Sequence, residues 1–170
     1  MAKLELQVVR DDIPSVICEF SSLNQMMRDA YYRTILKQAR AYHILYNGKR
    51  IGGCMVKFVL LSDEEYTVAD DDSFPACEIP YLVLEKAMRG RGIGRYVLEM
   101  LIQEIRAWAE NMPVRFLIIE AFANLKDWYH SIGFKEYDRV GKSPAYVNTV
   151  SMRMDFADHE TLAQYAEGQM

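Results

Sequence analysis

The residues Arg89-Gly90-Arg91-Gly92-Ile93-Gly94 combine two properties that together suit a phosphate group. An apolar run, Ile79 to Leu84, leads into them, and an amphipathic helical pattern, Ile93 to Glu110, leads out. A glycine-dense turn between a strand and a helix gathers backbone N–H groups at the helix start, where the partial positive charge favours an anion. Arg89, Arg91 and Arg95 add mobile or bidentate cationic contacts around the same point. The stretch therefore reads as a site for a pyrophosphate-bearing ligand. It is not a Walker loop, which needs a Gly-Lys-Ser/Thr ending. Nor is it a dinucleotide fingerprint, because Arg95 stands where the third glycine would fall and the turn lies in mid-chain.

A second constellation lies downstream. Arg115 to Ala121 reads as a strand, and Trp128-Tyr129-His130-Ser131-Ile132-Gly133-Phe134 places a tyrosine four residues before a Gly-Phe pair. Together the two motifs resemble the GNAT superfamily of N-acetyltransferases, whose acetyl-CoA signature, Gln/Arg-x-x-Gly-x-Gly/Ala, is filled by Arg89, Gly92 and Gly94. The resemblance covers residues 77 to 136 by motif and the remainder by element order. It implies that main-chain groups of Leu82, Val83 and Leu84 hold pantetheine. By the same resemblance the backbone of Gly90, Gly92, Ile93 and Gly94, with Arg89, Arg91 and Arg95, meets the pyrophosphate.

The resemblance also makes Tyr129 the acid that protonates the departing coenzyme thiolate. A phenol of pKa ~10 stays protonated at neutral pH and can donate; a core tyrosine bonded to a local partner is the alternative. An asparagine commonly stands seven residues before this tyrosine, where Phe122 is found, so Asn124 is the nearest substitute for its contact. Glu78 lies six residues before Leu84, the position of the glutamate base in the histone-type branch. A partly shielded carboxylate there suits proton removal, directly or through water; a solvated charge at a strand entry is the alternative. Glu120 is a further carboxylate on the next strand.

The elements that must position these groups follow from pattern. Leu4 to Val9 alternates as a first strand. Asp11 or Asp12 with Pro14 suggests a helix start, and Asn24 to Lys37 reads as a helix with Met26, Met27, Ala30, Tyr31 and Ile35 near one face. Tyr31 and Tyr32 either line an acceptor pocket or pack in the core. Strands at 41–46 and 51–60 flank Asn47-Gly48, a hairpin signal, while Gly52-Gly53 marks a bulge or a close backbone approach. A strand at 78–85 precedes the glycine turn. Val97, Leu98, Leu101, Ile102, Ile105 and Trp108 recur on the buried face of the following helix, which Pro113 stops. Strand 115–121, helix 125–132, strand 134–140 and strand 147–154 complete a mixed α/β (α+β) fold. The resemblance adds that its mainly antiparallel twisted sheet has splayed strands 4 and 5 and helices on both faces. One N-acetyltransferase domain over 1–157 and a polar tail over 158–170, either irregular or a frayed helix, are expected.

The 170 residues, 51% hydrophobic and 26% charged, have the composition of an ordinary globular domain. No apolar run approaches a membrane span, and the cytoplasm is the expected compartment. Cys18, Cys54 and Cys77 lack metal spacing, and His43, His130 and His159 are scattered, so no metal is expected. The net charge of −4 argues against nucleic acid as the main partner. Six acids, Asp63, Glu64, Glu65, Asp70, Asp71 and Asp72, concentrate in one loop; taking them from the chain's 24 leaves 18 against 20 basic residues. That loop is a solvated segment or an attractor for a cationic acceptor. The expected reaction is direct transfer of acetyl from acetyl-CoA to a primary amine of a small-molecule or peptide acceptor, by a monomer or homodimer. The rivals are a non-catalytic acetyl-CoA sensor and a toxin-like enzyme acting on aminoacyl-tRNA.

Overall fold

The first strand, β1 (Leu4–Val8), pairs antiparallel with β2 (Arg40–Tyr46), which turns back into β3 (Lys49–Ser62). These strands belong to a computed structural model that describes residues 1–63 and 71–168. The hairpin uses the expected dipeptide: Asn47 and Gly48 both have positive φ, 51° and 79°, the pairing that matches the natural strand twist. The register runs from Ile44 opposite Gly52 to Leu45 opposite Arg50, leaving Ile51 as the extra residue of a bulge. A Cβ built on Gly52 overlaps the Val83 carbonyl oxygen, and one on Gly53 falls 2.5 Å from Ser15 Oγ. Both readings of the glycine pair, bulge and close approach, are therefore met. Burial is continuous through 41–44 and 51–56, so both faces of these strands are covered.

The remaining strands are β4 (Ser73–Leu84), β5 (Phe116–Phe122), β6 (Lys135–Glu136) and β7 (Thr149–Asp155), in the spatial order β1-β2-β3-β4-β5-β7-β6. β4 and β5 run parallel and the other pairs antiparallel. A crossover helix joins the parallel pair, as parallel pairing requires. The helices are α1 (Ser21–Ile35), α2 (Ile93–Ala109), α3 (Lys126–Ile132) and α4 (His159–Gly168). Contacts gather into two compact units, residues 1–58 with 78–104 and residues 59–77 with 105–170. In the first, Met27, Ala30, Ala41, Met55, Tyr81 and Val83 form a core against which Met26 and Tyr31 pack. Tyr31 is thus partly buried against the core, whereas Tyr32 is exposed, and Ile35 lies off the expected buried face. In the second unit, the Arg115 guanidinium lies 4.3 Å over Phe74, and Arg153 lies over both Phe116 and Tyr137 (4.3 and 4.7 Å). Asp155 and Asp63 pair with these two arginines.

Three expectations need correction. No helix starts at Asp11 or Asp12. The Asp11 carboxylate accepts the Ile13 N–H (3.1 Å) in a local turn and pairs with Arg50 (2.8 Å), so tertiary contacts occupy the would-be cap. The first helix begins at Ser21 and ends at Ile35, where the left-handed Lys37 (φ 58°) turns the chain. Strand 134–140 shrinks to Lys135–Glu136, because beyond the Tyr137 N–H bond to Ser151 O (3.1 Å) the chain leaves the ladder. The polar tail after Asp158 takes the helical form allowed for it. Asp158 caps it through the Thr161 N–H (3.0 Å) and hydroxyl (2.6 Å). In the acidic loop, Glu64, Glu65 and Asp70 lie outside the described residues.

Candidate active site

β4 delivers the phosphate-type turn from a firm base. Val83 and Leu84 are buried, Leu82 is half-buried, and the Glu85 N–H donates to Ile51 O (2.7 Å). A 3-10 turn at Lys86–Met88 follows, then the glycine turn, then α2. The Gly92 carbonyl accepts the Tyr96 N–H (3.1 Å), which makes Gly92 the residue that opens the helix. The N–H groups of the next residues have no partner within the helix and face an incoming anion with the positive end of the dipole.

The three glycines are required for different reasons. Gly90 and Gly92 have φ of 75° and 79°, while a Cβ on either would meet nothing within 4 Å. Their requirement is conformational. Gly94 is helical, and its Cβ would make ordinary contacts, 3.7 Å from Leu84 Cδ1 and 3.8 Å from Leu82 Cδ2. Alanine at 94 suits the protein itself, and the signature accepts glycine or alanine there, so what position 94 requires is a small residue.

The three arginines also differ. Arg89 donates Nε–H to Leu84 O (3.0 Å) and forms a two-pronged pair with Glu19 (2.5 and 3.1 Å). Arg89 holds Glu19's carboxyl down at about 2. The bidentate contact expected of Arg89 is thus made inside the protein. Arg95 is exposed and pairs with Glu99 (3.0 Å) one turn along the helix, and Arg91 is exposed at the turn. Nothing in the sequence pattern signals Glu19, which stands 70 residues from its partner.

Glu78 sits inside β4 with 1% of its surface exposed, so it is not a solvated entry charge. Its carboxylate lies 3.6 Å from Lys57 Nζ. Glu120, the other carboxylate considered, is also buried and acts as a hub. Thr149 Oγ1 (2.7 Å), Arg139 (2.9 Å) and Ser151 Oγ (2.9 Å) donate to it, and Lys142 lies 3.3 Å away. Burial alone would raise its carboxyl, but the bonds from Thr149, Arg139 and Ser151 outweigh that and hold it below the usual range. It stays ionised and is a tether, not a base. Beside it lies an open cavity of about 600 Å³ whose wall carries charges of both signs, Glu136 and Asp138 with Arg139 and Lys142.

Tyr129 owes its place to the end of α3. Gly133, at φ 119°, takes the left-handed position just past the helix, and the Phe134 N–H reaches back to Tyr129 O (3.2 Å). This is the Schellman closure, which brings together the side chains at its two ends. The Tyr129 and Phe134 rings meet edge-to-face at 5.8 Å, and Trp128 adds a second edge contact at 4.8 Å. The four-residue spacing from tyrosine to Gly-Phe is therefore the spacing of a helix terminus. Burial pushes the Tyr129 phenol up to about 12, so it is fully protonated at neutral pH. Asn124 is exposed on a 3-10 turn, Ala123–Leu125, just before α3. Cys54 and Cys77 are buried in strands, and burial pushes both thiols up to about 12, so neither is a ready nucleophile. Among the described residues no group of three or more His, Cys, Asp or Glu is arranged to hold a metal. Among the described residues no helix is long and apolar enough to cross a membrane.

Residues 10–156 match the family model described as "Acetyltransferase (GNAT) domain". The chain belongs to this family. This GNAT domain is an acetyl-CoA-dependent N-acetyltransferase, and acetyl-CoA is its cosubstrate. The open glycine backbone at the start of α2 fits the pyrophosphate of that coenzyme. No curated protein matches the sequence. Solved structures with the same fold include one titled as a bacterial toxin, 13% identical with a TM-score of 0.73, covering 98% of this chain and 97% of that one. AtaTR bound with AcCoA is 17% identical with a TM-score of 0.72, covering 94% and 97%. AtaT complexed with acetyl-methionyl-tRNAfMet is 15% identical with a TM-score of 0.70, covering 97% and 99%.

Proposed function

We propose that this GNAT domain moves acetyl directly from acetyl-CoA to a primary amine while both are bound. The amine nitrogen attacks the thioester carbonyl carbon, the carbon–sulfur bond breaks, the sulfur gains a proton and the nitrogen loses one. The strand end at Leu82–Leu84 holds pantetheine through main-chain groups, and the turn from Arg89 to Arg95 holds the pyrophosphate. Tyr129 is the acid for the sulfur. The observation that carries the reading as a whole is the unobstructed glycine backbone where α2 begins. Glu78 is the carboxylate assigned to the ammonium proton, directly or through water.

A second reading of the acceptor, the α-amine of an aminoacyl-tRNA, is favoured by one observation. The folds similar over nearly the whole chain include AtaT complexed with acetyl-methionyl-tRNAfMet. The test is free-thiol release from acetyl-CoA in the presence of polyamines, aminoglycosides, lysine-bearing peptides and aminoacyl-tRNA in turn. One class should release thiol well above the acceptor-free rate. Release with aminoacyl-tRNA alone, falling steeply as salt rises, would select the second reading. Tight acetyl-CoA binding with no release for any amine would replace the transferase reading by a binding module.

A further inference from the structure

Residues 9–20 form no helix or strand, yet they are fastened along their length to the first unit. Asp11 pairs with Arg50 (2.8 Å). The Ser15 hydroxyl shares a hydrogen bond with the buried His43 Nδ1 (2.7 Å). The main chain of Cys18 is clasped on both sides by the Asn24 side chain, which accepts from its N–H (2.9 Å) and donates to its carbonyl (2.7 Å). The strap then delivers Glu19 to Arg89. Three N–H groups of one planar guanidinium are thereby directed, two to Glu19 and Nε–H to Leu84 O. Leu84 ends β4 and Arg89 begins the glycine turn. The guanidinium is a clip between the two, and Glu19 sets the plane of the clip.

We propose that Glu19 is a positioning residue for the coenzyme: acting through Arg89, it holds the turn in the shape that presents its N–H groups to the pyrophosphate. This rests on the reading of residues 89–95 as the phosphate site. Gly90 and Gly92 have no side chains to hold them and occupy backbone states that glycine leaves as readily as it enters. Their order must come from outside the turn. Because Glu19 already matches the charge of Arg89, and Glu99 that of Arg95, the anion is left mainly to the backbone N–H groups.

The experiment is calorimetric titration of the full chain with CoA, with melting temperature recorded for each variant. Glu19→Gln keeps the shape and removes the charge; it should raise Kd about tenfold, with Glu19→Asp between it and the parent. The fold should survive both, since Glu19 is 49% exposed. In an Arg89→Ala background Glu19→Gln should add nothing, because residues that act through one another do not add. With the acceptor that the amine screen returns, KM for acetyl-CoA should rise and kcat should hold. Unchanged or tighter CoA binding in Glu19→Gln, or an undiminished effect in the Arg89→Ala background, overturns the proposal. Titration with pantetheine, which lacks the pyrophosphate, separates this from failure of the underlying site. Pantetheine binding as tightly as CoA defeats the phosphate-site reading itself, whereas CoA binding far tighter than pantetheine with no loss in Glu19→Gln defeats only the role of Glu19.

Discussion

At the scale of single residues, Tyr129 carries the sharpest expectation. A proton donor to the departing thiolate contributes only as the carbon–sulfur bond breaks, so it stabilises the transition state and hardly touches ground-state binding. Tyr129→Phe keeps the ring against Phe134 and Trp128 and removes the donor. Turnover should fall by roughly 10²–10⁴-fold with acetyl-CoA affinity little changed. Equal turnover in the variant would show that water or another group protonates the sulfur. The same hydroxyl predicts an alkaline signature. Its folded pKa, raised by burial to about 12, lies above the ordinary value of 10.0. The native state therefore holds its proton more tightly than the unfolded chain. That stabilisation is present in full below pH ~10 and is lost as pH rises towards ~12. Denaturant titrations across this range should show a shallower alkaline decline for Tyr129→Phe than for the parent; identical slopes would place the phenol in contact with solvent.

At the scale of elements, the segment between β6 and β7 is held by side chains where a strand was expected. Glu120 projects from β5 and gathers Arg139 and Lys142 from that segment and Thr149 and Ser151 from β7. Its side chain is 3% exposed, so removing its charge deprives Arg139 and Lys142 of the carboxylate they share. Glu120→Gln should cost roughly 3–5 kcal/mol of stability, the scale of breaking a buried pair from one side. Because the folded carboxyl lies below its unfolded value of 4.5, the unfolded chain binds more protons in that range. The stabilisation is complete above pH ~4.5 and disappears as pH falls through the lower folded pKa. Urea melts between pH 3 and 6 should therefore show a flatter acid limb for Glu120→Gln. An unchanged midpoint at pH 7 would mean that the hub contributes nothing net.

At the scale of the molecule, coenzyme binding should be readable as stability. A ligand that binds the folded chain alone adds RT ln(1 + [L]/Kd), ~2.7 kcal/mol at a hundred times Kd. For a chain of this length that is roughly 5–10 °C in Tm. CoA should produce such a shift, and dephospho-CoA, which keeps the pyrophosphate, should produce most of it. Pantetheine, which lacks the pyrophosphate, should produce far less; an equal shift with pantetheine would remove the pyrophosphate from the interaction.

How much of this was legible in the chain depended on the range of the interactions involved. The strand–turn–helix unit around Gly92, the Asn47-Gly48 hairpin and the close of α3 at Gly133 could all be read from the residues. Each rests on backbone states that particular amino acids favour locally, so neighbours within a few positions carry the whole signal. The family followed from two such local motifs in order. The helix expected after Asp11 failed because Arg50 and His43, distant in sequence, claimed Asp11 and Ser15. The strand expected through Val140 failed because Glu120 drew Arg139 and Lys142 away from the ladder. The bidentate use of Arg89 was foreseeable from its guanidinium, but its partner, Glu19, was not. Ion pairs and buried hydrogen bonds between remote residues leave no periodic trace in a single sequence. Which carboxylate meets which cation is settled when the sheet brings them within a few ångströms, where the balance of charge and lost water can be struck.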